Sequence, residues 1–470
     1  MENSYLITVL RTLDKKEIRD FKKWLISPAH NQREDVEDLF HYLTSSNHLE
    51  EDKYLQKERV FKKVFPKEAF DDAKLRQTIH FLTKSVEDFL VFNEWNSNDI
   101  RFQITLAGIY RKRNLEKAFR KTMRSSEIKQ KNSPYRNNVY LENEYMLQNE
   151  KYAFWSGRTK RQSTFNFQEI SDALDAMYIT NKLKLLCFSF SHKAVVKADY
   201  DIGFEEEVLQ YIEQKDLYER PAVGIYYYIF KALKNPEETQ YYEQLKRQIQ
   251  DYGGYFPDSE LNDIVLLALN YCMGRINAGE KKFNREAFEY QQMGIERDIF
   301  LENNQIDSTT FRNIVVNGSI LNEFDWVEQF IDSYQKYLPA SDREKMSHYC
   351  KAILFFIKGD YEKCRDLLIH FDYDDILLTT QAKSMLIRLY YEQDEYDLLE
   401  ALLESTRNYL ARKKVMGYRR EQVMSMIRLT RKLVRVNPYD EKRKEKLKQE
   451  IVQAKYFAEK GWLLRQVETL

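Results

Sequence analysis

An all-α protein is what this sequence predicts: an N-terminal helical module followed by an irregular α-α superhelix, or solenoid, of stacked hairpins. Glycine (13) and proline (8) are scarce among the 470 residues, which disfavours a β-rich or disordered chain and leaves room for long helices. Apolar side chains return at helical spacing in segment after segment. Between about Asp307 and Arg407, three look-alike segments follow one another, and their aromatic residues Trp326, Tyr361 and Tyr396 stand 35 positions apart. Each follows an acidic residue and opens an apolar stripe. A fixed period of that length marks stacked helix-turn-helix units, none of which can bury its own apolar face alone.

Residues 1–98 read as a compact helical module, because their short helices keep no period. Tyr5, Leu6, Val9 and Leu10 begin it. Asp14-Lys15-Lys16-Glu17 is a capping box that opens a second helix, with Ile18, Phe21, Trp24 and Leu25 on one side. Ser27-Pro28 ends that helix. Val36, Leu39, Phe40 and Leu43 mark a third; Val60, Phe61 and Val64 mark a fourth that Pro66 stops; Leu75, Ile79, Leu82, Val86, Phe89 and Leu90 form a long fifth. Such a module either binds or assembles with a partner, or caps the first hairpin of the repeat that follows.

The polar run Asn93–Asp99 is the expected boundary. Residues 99–306 read as irregular hairpins. Leu106, Ile109 and Tyr110 lead through Asn114 to Leu115, Ala118 and Phe119, and two more hairpin-like segments are expected around Tyr140–Phe154 and Ile170–Lys197. Breaks fall at Ser133-Pro134, Arg220-Pro221, Asn235-Pro236, and Gly253-Gly254 with Pro257. Cys187–Phe190 and Tyr226-Tyr227-Tyr228 carry strand-favouring residues. Yet Leu183, Leu186, Cys187 and Phe190 recur at i, i+3, i+4 and i+7, so helix is expected there. From Leu261 a strongly apolar helix should be buried on more than one side.

Residues 307–470 hold the clear repeats. In the middle one, Pro339 stops a helix and Ser341-Asp342-Arg343-Glu344 makes a capping box for the next. Met346, Tyr349, Cys350, Ile353, Phe356 and Ile357 then share a face. Gly359 is placed to end that helix in the left-handed conformation, and Asp360 to cap a second helix carrying Tyr361, Cys364, Leu367, Leu368 and Phe371 inward. Gly359-Asp360-Tyr361 between two amphipathic helices, at this period, resembles the tetratricopeptide (TPR) family of helical-hairpin repeats. Ala352 and Cys364 fit the small residues that the family places where paired helices touch, whereas Ile387 and Leu399 depart from them. The resemblance covers about 100 residues well. It implies a TPR-like superhelix that binds a protein or peptide on its concave face. Beyond it a helix over Gln422–Val436, a break at Asn437-Pro438 and one final helix from Asp440 to about Glu459 are expected.

Charge is the most informative chemical feature. The chain is neutral overall, with 74 basic and 74 acidic residues, but the signs are separated along it. Residues 101–165 hold 15 basic and 5 acidic residues and residues 406–470 hold 18 and 7, whereas 166–310 hold 15 and 25. Two basic segments therefore flank an acidic middle. Arg428, Arg431, Lys432 and Arg435 share one helical face at i, i+3, i+4 and i+7, opposite Val423, Ile427 and Val434. That face suits phosphate, an acidic protein partner, or the chain's own acidic helices.

Chemistry beyond binding finds little support. The seven histidines (His30, His41, His48, His80, His192, His348, His370) are scattered, and Cys187, Cys272, Cys350 and Cys364 have no metal-ligand spacing. No phosphate-loop, metallohydrolase or nucleophile-elbow motif occurs. Carboxylate clusters such as Glu205-Glu206-Glu207 and Asp372–Asp375 read as solvated helix starts or loops. No enzyme activity, cofactor or metal is expected. No run reaches the about 18 apolar residues of a membrane helix, and Met1–Tyr5 does not begin a secretory signal, so a cytoplasmic protein is expected. The expected role is a non-catalytic scaffold or adaptor for a protein or peptide. The competing role is nucleic-acid binding through residues 101–165 and 406–470. Head-to-tail self-association through the acidic middle and basic ends is compatible with the first.

Overall fold

The computed structural model describes residues 1, 4–158, 164–196, 199–369, 376–413, 418–454 and 459–470. Phe371, His370 and the Asp372–Asp375 cluster lie outside them. The protein is all-α: among the described residues the only sheet is one two-stranded ladder. Two compact units divide the chain, one of residues 1–134 and 138–177, the other of residues 135–137 and 178–470.

The first unit opens with α1 (Tyr5–Leu10), α2 (Lys15–Ile26), α3 (Glu34–Leu43), α4 (Lys57–Val64) and α5 (Asp72–Ser97). These close one core of their own around Leu6, Leu10, Phe21, Phe40, Phe61 and Leu82. Phe21 sits at its centre, edge-on to Phe40 at 4.9 Å and tilted against Phe89 at 5.2 Å. The capping box of α2 forms as expected: the Lys16 and Glu17 N–H groups donate to the Asp14 side chain, and the Asp14 N–H donates to the Glu17 carboxylate. Tyr5 does not join the core; it is exposed, and Ile7 takes the inward place beside Leu6 and Leu10, one turn apart on the same face.

α5 runs through the polar stretch and breaks only at Asn98, whose side chain accepts from the Arg101 N–H at 3.0 Å and so caps α6 (Asp99–Lys112). α6 pairs with α7 (Glu116–Lys131) across Asn114, and both meet α8 (Asn138–Ser156). Their small core centres on Phe119 stacked on Phe154 at 4.0 Å. The hairpins expected around Tyr140–Phe154 and Ile170–Lys197 are instead single helices, α8 and the 30-residue α9 (Phe167–Val196). Neither stretch contains a glycine or proline to turn the chain. Lys197 lies outside the described residues.

The second unit continues with α10 (Glu205–Gln214), α11 (Pro221–Lys234), α12 (Thr239–Tyr252), α13 (Asp258–Asn277) and α14 (Phe283–Glu296). After the strands β1 (Leu301–Glu302) and β2 (Gln305–Ile306) come α15 (Ser308–Ile320), α16 (Phe324–Tyr334), α17 (Arg343–Lys358), α18 (Tyr361–Ile369), α19 (Ile376–Glu392) and α20 (Tyr396–Arg412). α21 (Tyr418–Arg435), α22 (Glu441–Gln453) and α23 (Lys460–Thr469) close the chain. Both stretches of strand-favouring aromatics are helical, in α9 and α11. α11 is buried nearly all round, from Ala222 to Ala232, and burial on every side removes the alternation that would mark an amphipathic helix.

Consecutive helices pair as hairpins (α11 with α12, α13 with α14, and so on to α19 with α20), and α15, α17 and α19 also stack in succession. Four of these hairpins share one turn. Gly279, Asn322, Gly359 and Asp394 each take positive φ, and the next N–H reaches back across the helix end: Asp360 to the Phe355 carbonyl at 2.9 Å, Glu395 to Tyr390 at 2.9 Å, Glu323 to Gly318 at 3.0 Å, Glu280 to Arg275 at 3.0 Å. This Schellman closure, also made at Asn114, satisfies carbonyls the helix would leave bare. Asp360 then caps α18 by accepting from the Lys363 N–H at 3.4 Å. The α15–α16 contact depends on Gly318, where a Cβ would stand 2.6 Å from Val327 Cγ2 and 2.8 Å from Phe288 Cε2.

Three details differ from expectation. The box at Ser341 does not form: α17 starts after Asp342 without a side-chain cap, and the Arg343 guanidinium donates instead to the Lys336 and Leu338 carbonyls. The backbone N–H groups of Asp342 and Arg343 both turn back to the Pro339 carbonyl, which leaves Ser341 inside that turn and not at the helix start. The helix expected from Asp440 to about Glu459 is α22 and ends at Gln453, because the chain leaves helical geometry at Ala454 (φ −60°, ψ 143°), and a further helix, α23, follows it. The β1–β2 hairpin went unread, although Asn303-Asn304, both at positive φ, are the residues a tight hairpin turn needs.

Candidate partner-binding surface

The basic face of α21 is assembled by burial of its other side. Met426, Ile427, Leu429 and Leu433 point into the core, while Val434, expected among the apolar residues, is exposed. The four cations then part company. Arg431, half-buried, reaches α20 and pairs with Glu400 at 2.9 Å and Glu404 at 3.0 Å. Arg428 at 3.5 Å and Lys432 at closer range both pair with Glu450 of α22. Arg435 is exposed and makes no ion pair among the described residues. Hydrogen bonds from Arg431 and Lys432 hold the Glu404 and Glu450 carboxyls below their usual range. A cavity of about 620 Å³ lies over this cluster, floored by Met424, Ile427 and Ala454. Most of the basic face thus neutralises the chain's own acids.

Trp326, Tyr361 and Tyr396, spaced 35 positions apart, are brought to comparable but unequal places. Tyr361 and Tyr396 are the first residues of α18 and α20, whereas Trp326 is the third of α16; Phe324 is the residue in register with the two tyrosines. Trp326 stacks on Phe330 at 5.5 Å and meets Phe288 edge-on at 5.0 Å. Tyr396 is exposed, its hydroxyl donating to Asp394 at 2.7 Å.

Tyr361 leads to a cluster that sequence reasoning missed. Its hydroxyl donates to the Glu392 carboxylate, which also accepts from Trp462 Nε1 at 2.7 Å. Trp462 belongs to α23, 70 residues further along. Its ring meets Tyr391 edge-on at 5.4 Å, and Arg388 lies over the rings of Phe356 at 4.6 Å and Trp462 at 5.8 Å. Ser384, Arg388, Tyr391 and Glu392 are one face of α19, so this face seats the C-terminal helix. The only sequence signal was the apolar pattern Trp462, Leu463 and Val467, now buried.

Charge at this seat is strained by burial. Burial pushes the Glu459 carboxyl above its ordinary 4.5, against the pull of a Ser384 hydrogen bond and the Arg388 charge. Burial also lowers the Arg388 guanidinium, against Glu392 and Glu459. A carboxyl with a raised folded pKa binds its proton more tightly when folded, so stability falls as pH climbs from about 4.5 through the folded value. Glu459→Gln removes that titration. Thermal melts over pH 4–7 are expected to decline less steeply for the variant; parallel curves would show that Glu459 does not titrate in this window.

Elsewhere the polar groups serve packing. His30 stacks on Trp24 at 3.5 Å, and His48 lies between Tyr42 and Tyr54. The four cysteines are free and buried, and burial pushes the thiols of Cys272 and Cys364 up to about 12. No group of three or more potential metal ligands occurs among the described residues. No described helix is long and apolar enough to cross a membrane. Comparison with protein-family models, with curated proteins and with solved structures finds no match.

Proposed function

We propose that the protein is a non-catalytic scaffold or adaptor that binds a protein or peptide on an irregular TPR-like superhelix. Its proposed parts are the module 1–98, irregular hairpins over 99–306, and repeats with basic closing helices over 307–470. One observation carries the reading: a face of α19 already holds an amphipathic helix, the chain's own α23, by an aromatic contact and a charge-assisted hydrogen bond. Hairpins joined by one repeated turn, each resting on its neighbours along the chain, support the superhelix. Buried free thiols suit a reducing compartment, and the proposed location is the cytoplasm.

Nucleic-acid binding through residues 101–165 and 406–470 is the reading to test against it. Arg428, Arg431 and Lys432 already pair within the chain, which speaks for a protein partner. Affinity capture of the tagged protein from its own cell extract, with and without nuclease and at two salt concentrations, separates them. Protein partners are expected to survive nuclease. Recovery of nucleic acid, with partners lost on digestion and binding weakened steeply by salt and by neutralising Arg428, Arg431 and Arg435 together, would replace the proposal.

A further inference from the structure

The turn between α6 and α7 is the same closure that joins the later hairpins. Asn114 takes positive φ (57°), and the Leu115 N–H reaches back to the Tyr110 carbonyl at 2.9 Å. The residue that follows the positive-φ position differs. In the four later hairpins it is an acid: Glu280, Glu323, Asp360 or Glu395. Here it is Leu115, 48% exposed at the apex of the turn. Ile299, which follows Asp298 in the same closure at the end of α14, is also apolar, but it is 4% exposed and joins the main core. Neither the turn nor the core accounts for an exposed leucine at this place.

Charge around the apex is one-sided. Residues 112–117 are all exposed, so the turn projects into solvent. Ile109, 42% exposed, stands on the outer face of α6 with Lys112 and Arg113 one turn further on. Lys117 and Lys121 share one face at the start of α7. These four cations are exposed, and none makes an ion pair among the described residues. Glu116, the only acid between Lys112 and Lys121, is already taken by Arg120 at 2.8 Å. The contrast with α21 is direct, since there Glu400, Glu404 and Glu450 meet three of the four cations.

Whatever covers this tip offers negative charge and an apolar interior together. A protein partner of standard size covers about 20–30 residues a side, and the projecting turn presents two apolar side chains and four cations. The phosphates of a nucleic acid would meet the cations but bury neither Leu115 nor Ile109. An anionic bilayer supplies both parts: headgroups for lysine and arginine, and an acyl boundary for leucine and isoleucine. Apolar insertion combined with a basic patch is the pairing that holds peripheral proteins on such surfaces.

We propose that the α6–α7 turn docks the first unit on an anionic lipid bilayer. Leu115 and Ile109 enter the boundary between headgroups and acyl chains, and Lys112, Arg113, Lys117 and Lys121 lie against the headgroups. Docking of this kind needs no membrane-spanning helix, and it does not rest on the α19 surface.

Sedimentation with lipid vesicles is the test. Full-length protein is expected to bind vesicles of phosphatidylcholine containing about a third phosphatidylserine roughly ten-fold more tightly than vesicles of phosphatidylcholine alone, and added salt should weaken the binding. Leu115→Ser removes the inserting side chain and no charge; the later turns carry polar residues at this place, so helical content should hold while vesicle binding falls several-fold. Lys117→Ala combined with Lys121→Ala should also weaken binding several-fold, which decides the matter even if Leu115→Ser fails to fold. No vesicle binding, equal binding to neutral vesicles, or unchanged binding by either folded variant would overturn the proposal. Duplex DNA or polyglutamate bound more tightly than the vesicles, with no effect of Leu115→Ser, would assign the tip to a soluble polyanion and overturn it as well.

Discussion

Trp462→Ala is expected to destabilise the C-terminal part of the second unit by about 3–5 kcal/mol, the usual cost of truncating a buried tryptophan. Trp462 is 3% exposed and joins the main core beside Leu463 and Val467. Its loss leaves a cavity between α19 and α23 and strips Glu392 of its indole donor. It also removes one of the two rings that cover Arg388. Urea unfolding should shift to lower denaturant, and hydrogen exchange should show α23 opening before α17 and α19. Trp462→Phe keeps most of the apolar contact and loses the hydrogen bond to a charged acceptor, so it should cost about 1.5–3 kcal/mol. If Trp462→Ala unfolds like the parent protein, the seat on α19 does not hold α23 in solution, and the observation behind the proposed function is lost with it.

Glu260→Ala carries the second large effect, a loss of about 1–3 kcal/mol from a buried donor left without its acceptor. Glu260 stands in the first turn of α13 and is 8% exposed. Its carboxylate accepts from the Tyr226 hydroxyl at 2.9 Å and Asn137 Nδ2 at 3.0 Å, and pairs with Lys184 Nζ at 3.3 Å. Tyr226 is itself buried, so its hydroxyl loses its acceptor when the carboxylate goes, whereas Lys184 is more exposed. Burial, the largest cause, pushes the Tyr226 hydroxyl far above its ordinary range and remains when Glu260 is gone, so the hydroxyl keeps its proton in the variant. Tyr226→Phe in the same background should recover part of the loss, because it removes one orphaned donor. Purely additive effects of the two substitutions would show that the hydrogen bond is not energetically coupled.

Where the sequence succeeded, the information was local. The capping box at Asp14 and Glu17, the left-handed turn at Gly359, the cap at Asp360 and the helical face of Leu183 to Phe190 are each decided by residues within one or two turns of each other. The shared hairpin turn was legible at Gly359 because glycine announces it. Asn322 and Asp394 take the same conformation with side chains that only tolerate it, so the register of the first of the three look-alike segments was placed at Trp326 instead of Phe324.

The surface chemistry was less legible because it depends on what lies across from each helix. Periodicity put Arg428, Arg431, Lys432 and Arg435 on one face, and spacing alone does not reveal that Glu400, Glu404 and Glu450 meet three of them. Trp462 and Glu392, 70 residues apart, share no local pattern at all. The same holds for a cavity of about 360 Å³ in the second unit, whose walls come from α9, α11 and α13.

The sequence by itself determined an all-helical chain, several helix starts and stops and the turn at Gly359, because backbone hydrogen bonds and caps close within a few residues. Tertiary structure alone decided which charges are spent inside the chain, which face of α19 seats α23, and where a cavity stays open. Those outcomes are set by burial and desolvation, which act on side chains brought together from distant positions and leave no periodic trace in either partner.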